Sequence, residues 1–327
     1  MRALRLTQPG QIDLIELDEP GSPVEGETLV RVLRTGICGT DLHAYQGRQP
    51  FFTYPRILGH ELAVEVLRPS GDLREGDVCC VEPFFNCGKC QACARGKTNC
   101  CESLKVYGVH IDGGMRERAL IPTHKLHKTK GLAPEQLAAI EPLCIGSHAF
   151  WRAGLEKPES VLVIGGGPIG LAVIAAARAE GFEPVLMEVS PVRTRIARER
   201  LHLNVVSSPD QLAERPRAIF DCTGNPKSMM ATFEMLAHGG QIVFVGLFLG
   251  DVVFYNPNFH ARETTLKSSR NATAADFKRV ISYLERGIVD VRPWFAGVTA
   301  PADVAASYAT WLDPEAGIIK PMISWEV

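Results

Sequence analysis

Hydrophobic and polar positions interleave in short runs over the first 85 residues. Residues 12–17, 28–33 and 62–67 each mix apolar and polar positions at short spacing, and a glycine or proline follows each run closely. This pattern is typical of half-buried strands separated by turns. We therefore predict a barrel-like antiparallel domain for this part of the chain.

The pattern changes near residue 161. A continuously apolar run at 161–164 leads through a glycine-rich turn at 165–170 into a helix-like run at 171–179. Further strand-like and helix-like runs alternate at 184–188, 218–224, 227–237, 239–246 and 264–268. Buried strands that alternate with helices predict an α/β domain with a parallel, doubly wound sheet.

Chain length and the C-terminal segment indicate the domain organisation. A chain of 327 residues usually forms about two domains. Residues 276–286 are helix-like, and the β-like pieces that follow end at 323–325, so this segment is too short for a domain of its own. We predict one discontinuous domain of residues 1–146 and 274–327, and a second domain of residues 147–273.

Composition limits the classes of partner. The chain is 46% hydrophobic and 22% charged, with a formal net charge of −2. That balance provides no overall attraction for nucleic acid or an acidic membrane. The N-terminus lacks the apolar core of a signal peptide, and no apolar run approaches the roughly 18 residues of a spanning helix. We expect a cytoplasmic protein whose partner is a small molecule.

Half of the ten cysteines lie between residues 87 and 101. In a reducing compartment such clustering favours a metal over disulfides. The four cysteines whose spacing lets them surround one ion, as in structural zinc sites, are Cys87, Cys90, Cys93 and Cys101. We predict a structural zinc in this lobe, residues 86–102. Cys100 is the alternative fourth ligand, and a set of free thiols is the alternative to a metal site.

The glycine-rich turn has the G-x-G-x-x-G pattern of dinucleotide-binding proteins. The turn residues predicted to contact the cofactor are Gly165, Gly167, Pro168, Ile169 and Gly170. The glycines permit a tight turn and let pyrophosphate approach the helix N-terminus. Glu188 ends the next strand 18 residues after Gly170, where a carboxylate accepts ribose hydroxyls and repels a 2′-phosphate. We predict NAD, with Arg193 beside the adenine. Arg193 and Arg195 leave NADP as the alternative.

Four further residues offer the donor atoms of a catalytic zinc site. Cys38 offers a thiolate, His60 an imidazole nitrogen, and Glu61 and Glu141 carboxylate oxygens. Zinc takes all three donor types, and a catalytic site keeps one position for water or substrate. Because Glu141 precedes a proline, it is predicted to end a helix. Cys144 is the alternative ligand in this segment.

Together these motifs resemble the zinc-dependent medium-chain dehydrogenase/reductase superfamily over essentially the whole chain. The motifs that carry the resemblance lie at 36–41, 59–61, 87–101, 141–143 and 165–170. The family implies a Rossmann domain for the dinucleotide and a GroES-like β-barrel catalytic domain. The glutamate-proline pair is similar to the sorbitol and threonine dehydrogenase branch. The segments similar to bacterial sugar-acid oxidoreductases of the galactonate type lie at 49–56, 256–260 and 263–273.

The resemblance implies an oxidoreductase that transfers a hydride between the secondary alcohol of a sugar acid and NAD. It implies a proton relay from Thr40 through the cofactor ribose to His43, for which a surface histidine is the alternative. It implies that Glu61 and Glu141 are adjustable zinc ligands, and that one of these two carboxylates exchanges with water as the substrate enters. It also implies a homodimer or homotetramer, for which we expect an edge strand at 241–246, extended by 252–254.

Arg270 and Phe51 are the candidate substrate residues. A guanidinium at Arg270 can bind a carboxylate through two hydrogen bonds, which favours a sugar acid over a neutral polyol. Phe51 would line the pocket, with a place in the core as the alternative, and a surface or interface position is the alternative for Arg270. For the whole chain the alternatives are a polyol or L-threonine dehydrogenase and, in another class, a non-catalytic zinc- and dinucleotide-binding regulator.

Overall fold

The computed structural model describes residues 1–50, 52–156 and 159–326. Its strands are β1 (Arg2–Gln8), β2 (Gln11–Glu16), β3 (Glu27–Gly36), β4 (Arg56–Ile57), β5 (Glu61–Val66), β6 (Val78–Val81), β7 (Phe84–Phe85), β8 (Lys105–Val106), β9 (Arg118–Pro122), β10 (Leu126–Lys128), β11 (Val161–Ile164), β12 (Val185–Met187), β13 (Val205–Val206), β14 (Ala218–Asp221), β15 (Gln241–Phe244), β16 (Thr265–Ser268) and β17 (Met322–Ser324). Its α-helices are α1 (Gly39–Tyr45), α2 (Gln91–Ala94), α3 (Pro134–Ala138), α4 (Ile140–Ala153), α5 (Pro168–Ala179), α6 (Pro191–Glu199), α7 (Pro226–Met235), α8 (Asn256–Ala261), α9 (Ala274–Glu285) and α10 (Val304–Leu312).

The chain forms two compact units, and the first consists of Met1–Glu141 and Thr273–Val327. Its largest sheet has the order β10-β6-β5-β3-β17, with β9 also paired to β3, and β2-β1-β4 form a second sheet. All of these pairings are antiparallel. Alternate residues of β3 are buried, as the short spacing of apolar positions requires. The predicted antiparallel, barrel-like domain is thereby confirmed.

Strand register in this unit places the functional segments side by side. Gly36, the last residue of β3, pairs with Glu61, the first residue of β5. Gly36 also pairs with Met322 at the start of β17. The residues just after β3, just before β5 and just before β17 therefore converge on one end of the sheet.

The second unit is Pro142–Ala272. Its six strands are parallel, in the order β13-β12-β11-β14-β15-β16. Chain order reverses at β11, so the carboxyl end of this strand lies at the switch point where doubly wound sheets bind ligands. The predicted parallel, doubly wound sheet is confirmed. Its central strands are fully buried, as continuous apolar runs such as Val161–Ile164 require.

Two details of the prediction are wrong. The strand at Gln241–Phe244 is internal, because it pairs with β14 on one side and with β16 on the other, and β16 forms the edge. Residues 252–254 are not in a strand. Glu141 lies in the first turn of α4 rather than ending a helix. The proline after it is tolerated because backbone N–H groups in the first helical turn have no partner within the helix.

Within the described residues, no helix combines the length and apolar character that a membrane crossing requires.

Candidate active site and metal centres

Cys38, His60 and Glu61 meet at the end of the antiparallel sheet. Each offers one donor atom, and these three atoms lie within 4.8 Å of one another. Cys38 is the N-cap residue of α1, while His60 and Glu61 lie where β5 begins. His60 is 5% exposed and Glu61 is fully buried. The fold thus brings a thiol, an imidazole and a carboxylate together at a site that is largely shielded from water.

Gly36 makes room for the Glu61 carboxylate. A Cβ atom on Gly36 would lie 2.2 Å from Glu61 Oε2, which is far inside contact distance. No larger residue fits here without displacing Glu61. The glycine before the Cys38 segment is therefore a requirement of the site, as well as of the strand.

Asp41 connects two of the candidate ligands. Its Oδ2 accepts a hydrogen bond from the backbone N–H of Cys38 at 3.0 Å, and its Oδ1 lies 3.9 Å from His60 Nδ1. Asp41 Oδ1 and His60 Nδ1 are buried atoms without a hydrogen-bond partner in the described part of the chain. Burial raises the pKa of Asp41. The carboxylate is placed to orient both the Cys38 backbone and the His60 ring.

The electrostatics of this group favour a bound cation. Burial lowers the pKa of His60, but the negative charges of Asp41 and Cys38 outweigh this and hold it well above its ordinary value. The negative groups around His60 therefore favour positive charge at this position, and a metal ion would replace the proton on the ring. A thiolate, an imidazole and carboxylates are the donors that zinc takes. Together with the orphaned His60 Nδ1, the residues fit a zinc ion.

Lys320 is a member of the site that sequence reasoning missed. Its side chain is 1% exposed, and Nζ donates to both carboxylate oxygens of Glu61 at 2.7 Å. It also donates to the Ile37 carbonyl at 3.2 Å. The available signal was a lysine inside the apolar run 318–323, since a charge in such a run needs a buried partner.

Glu141 is buried in the first turn of α4, near the group but outside it. The pKa of Glu141 is raised to about 7, because burial and, to a smaller extent, the charge of Glu61 outweigh the opposing effect of His60. Among the described residues, the group of donors within 4.8 Å contains Cys38, His60 and Glu61 but not Glu141. Cys144, the alternative ligand, is also buried.

The two relay candidates lie on α1. The Thr40 backbone N–H donates to Cys38 Sγ at 3.5 Å, and the Thr40 side chain is partly buried. His43 is exposed one turn further along the helix. The helix therefore carries one residue beside the ligand Cys38 and one in contact with solvent.

The four-cysteine lobe forms a second donor group. The sulfur atoms of Cys87, Cys90, Cys93 and Cys101 lie within 4.8 Å of one another, and Cys100 is not among them. Hydrogen bonds from the backbone N–H groups of Cys93 and Glu102 lower the pKa of Cys90 to about 6. The backbone N–H of Cys87 also donates a hydrogen bond to Cys101 Sγ at 3.2 Å. Four converging sulfurs with such donors fit a tetrahedral zinc.

The glycine turn of the second unit has the geometry of a dinucleotide site. Gly165 has a φ of +97°, and a Cβ on Gly170 would lie 1.9 Å from the Gly165 carbonyl oxygen. Gly167 is the N-cap of α5, so Pro168 and Ile169 lie in the first turn of the helix. Pro168 has no N–H, but the other N–H groups of a first turn have no partner within the helix and can bind phosphate.

Glu188 is joined to this turn. Its Oε2 accepts the Gly166 N–H at 2.7 Å, and its Oε1 accepts the N–H groups of Val189 and Ser190 at 2.8 and 2.9 Å. Arg193 is exposed in α6. These contacts fix the carboxylate at the carboxyl end of β12.

The substrate candidates are less defined. Arg270 is exposed, two residues after β16 in the second unit. Phe51 lies outside the described residues.

Family models and relatives agree with this architecture. The model of the alcohol dehydrogenase GroES-like domain matches residues 24–131, and the model of the zinc-binding dehydrogenase matches residues 168–286. L-Galactonate-5-dehydrogenase of Escherichia coli (strain K12) is 40% identical over 300 residues, which are 88% of this chain and 88% of that protein. L-Threonine 3-dehydrogenase of Pyrococcus horikoshii is 35% identical over 273 residues, 77% of each protein.

A solved structure matches the whole fold. The alcohol dehydrogenase RspB from E. coli CFT073, complexed with NADH, superposes with a TM-score of 0.92 at 26% identity and covers 99% of both chains. Fold and site together define a two-unit dehydrogenase of the zinc type. The chain belongs to the zinc-dependent medium-chain dehydrogenase/reductase superfamily, with a GroES-like part and a Rossmann-like part.

Proposed function

We propose that this protein is a zinc-dependent dehydrogenase that oxidises a secondary alcohol of a sugar acid with NAD. The donor group of Cys38, His60 and Glu61 is the observation that carries the reaction type. The substrate class is supported by the 40% identity to L-galactonate-5-dehydrogenase over 88% of the chain. We place the reaction in the cytoplasm.

Two zinc ions per chain are part of the proposal. Cys38, His60, Glu61 and Glu141 would hold the catalytic ion, and the four-cysteine lobe would hold the structural one. Zinc at the first position would polarise the substrate hydroxyl and lower its pKa. Lys320 donates to both Glu61 oxygens, so it competes with a metal for this ligand and favours Glu61 as the exchangeable carboxylate.

The remaining residues of the chain would bind the cofactor and move the proton. The N–H groups at the start of α5 would hold the pyrophosphate of NAD. Glu188 Oε1 already accepts two hydrogen bonds, whereas Oε2 accepts one and can accept another. The negative charge of this carboxylate favours a ribose hydroxyl over a 2′-phosphate. The Thr40 hydroxyl can accept and donate a hydrogen bond, and His43 is exposed, where it can pass a proton to water.

We further propose a discontinuous catalytic domain of residues 1–146 and 274–327, a cofactor domain of residues 147–273, and a homodimer or homotetramer. Exposed apolar side chains support self-association. They follow β15, which neighbours the edge strand β16, and include Leu247, Leu249, Val253 and Tyr255.

L-Threonine is the second candidate substrate, because the threonine dehydrogenase of P. horikoshii is 35% identical. A panel of sugar acids, polyols and threonine with NAD, followed by NADH formation, separates the candidates. We expect a sugar acid to give the highest kcat/KM. Oxidation of threonine or a polyol in preference would overturn the substrate class, and the absence of NADH with every compound would favour a non-catalytic regulator.

A further inference from the structure

A chain of hydrogen bonds leads from a buried carboxylate to a sulfur of the four-cysteine lobe. Lys125 Nζ donates to Glu82 Oε1 and also to Asn86 Oδ1, which lies 3.3 Å away. Asn86 Nδ2 donates in turn to Cys93 Sγ at 3.7 Å. On the other side of the carboxylate, His127 Nε2 lies 3.1 Å from Glu82 Oε2.

The direction of the Asn86 amide follows from its two neighbours. A lysine ammonium can only donate hydrogen bonds, and a thiolate can only accept them. The amide oxygen must therefore face Lys125 and the amide nitrogen must face Cys93, as they do in the structure. Asparagine supplies the acceptor and the donor together on one planar group.

The other end of this chain is anchored in the antiparallel sheet. Glu82 and Lys125 are 3% and 5% exposed, and buried charges persist only when they are paired. Glu82 follows β6 and Lys125 precedes β10, two strands that pair with each other. The His127 ring stacks on Phe277 with centroids 4.9 Å apart. Register and stacking therefore fix the anchor.

The lobe itself has little else to order it. Its regular structure is the four-residue helix α2 and the short 3-10 turn Thr98–Cys100. A segment of this kind depends on its metal for order. A fixed contact from the sheet to one of its sulfurs therefore has a large effect on the ligand geometry.

We propose that Asn86 and Lys125 are positioning residues of the lobe, which orient the Cys93 sulfur as a metal ligand. This inference rests on the proposed structural zinc. Hydrogen-bond partners of metal ligands typically contribute about 10- to 100-fold to metal affinity. The proposal assigns a function to a buried charged cluster that hydride transfer does not use.

Asn86→Asp tests the proposal, because it keeps the size of the side chain and the acceptor for Lys125 but replaces the N–H donor with a carboxylate oxygen. Zinc release from the full-length, zinc-loaded protein is followed with a chromophoric chelator. The thiols that become exposed when zinc leaves are alkylated and identified by peptide mass spectrometry. This shows whether the zinc came from the four-cysteine lobe or from the site of Cys38. We expect the lobe zinc to leave about 10- to 100-fold faster, and the sulfur-to-metal charge-transfer band of the cobalt-substituted protein to shift.

Gln91→Glu is the matched control, because Gln91 is exposed in the same lobe and the substitution adds the same charge. It should release zinc at the wild-type rate, and release as fast as in Asn86→Asp would overturn the role of the hydrogen bond. Asn86→Ala, which adds no charge, gives the same comparison should Asn86→Asp fail to fold. A wild-type protein without lobe zinc would refute the structural site itself. Wild-type release rates in the Asn86 variants, with lobe zinc present, would refute the positioning role alone.

Discussion

At the scale of single residues, the candidate catalytic centre is shaped by what surrounds the ligands. Gly36 leaves space for the Glu61 carboxylate, and Lys320 neutralises that carboxylate. Asp41 accepts a hydrogen bond from the Cys38 backbone and faces the His60 ring. The Lys320 ammonium donates to the Glu61 carboxylate, which a metal would also use as a ligand. Glu61 is therefore suited to bind and leave a metal, because either positive partner can satisfy its charge.

Replacing Lys320 by methionine removes one partner of a buried ion pair. We expect the free energy of unfolding of the zinc-free protein to fall by about 3–5 kcal/mol, since the Glu61 carboxylate is then left buried and unpaired. Urea denaturation measures the change. The double variant Lys320→Met/Glu61→Gln is the control and should recover most of the loss, because it buries no lone charge. Equal stability of Lys320→Met and the wild type would show that the pair does not stabilise the fold.

Glu82 predicts a pH dependence of stability. Burial raises the pKa of Glu82, but hydrogen bonds from His127 and Lys125 outweigh burial and hold the pKa below its ordinary value of 4.5. A carboxylate of this kind stabilises the fold above its unfolded-state pKa, and the contribution is lost as pH falls through the folded-state value.

We therefore expect the stability difference between the wild type and Glu82→Gln to be largest near neutral pH and to shrink as pH falls below 4.5. Denaturant unfolding of both proteins across this range checks it. A difference that stays constant with pH would mean that Glu82 has no depressed pKa.

At the scale of elements, local pattern predicts far more than long-range pairing. The strand β11, its glycine turn and α5 follow from apolar runs and glycine spacing within about 20 residues. The edge position of β16 does not, because it depends on which strand pairs with which across the sheet. Lys320 is harder still, since its partner Glu61 lies 259 positions away. The two groups of metal-donor residues can be predicted from the sequence, because cysteine and histidine spacing is chemically distinctive.

The glycine turn offers a matched pair of substitutions. Gly170→Ala places a Cβ 1.9 Å from the Gly165 carbonyl oxygen, whereas a Cβ at Gly167 meets no atom within 4 Å. We expect Gly170→Ala to destabilise the cofactor-free protein by about 1–3 kcal/mol, the usual cost of overpacking. Gly167→Ala should destabilise the protein by less than about 1 kcal/mol, since alanine is a poorer N-cap than glycine but its Cβ meets no other atom. Thermal unfolding without NAD compares them, and equal effects would contradict the tight turn.

At the scale of the whole molecule, the chain divides its chemistry between two units. The two donor groups and Glu141 lie in Met1–Glu141, whereas the dinucleotide turn and Cys144, the alternative ligand, lie in Pro142–Ala272. The returning segment, Thr273–Val327, supplies β17 and Lys320 to the first unit. Hydride transfer needs the hydroxyl-binding metal and the nicotinamide together, so the proposed activity belongs to the full chain.

The most direct test of the central claim compares a sugar acid with its neutral counterpart. The measurement is kcat/KM for NAD reduction by the zinc-loaded protein with L-galactonate and with the alditol of the same carbon skeleton. We predict about a 10- to 100-fold advantage for the acid, since a hydrogen bond to a charged group contributes about 1.5–3 kcal/mol. An equal or higher kcat/KM for the alditol would contradict a sugar-acid dehydrogenase.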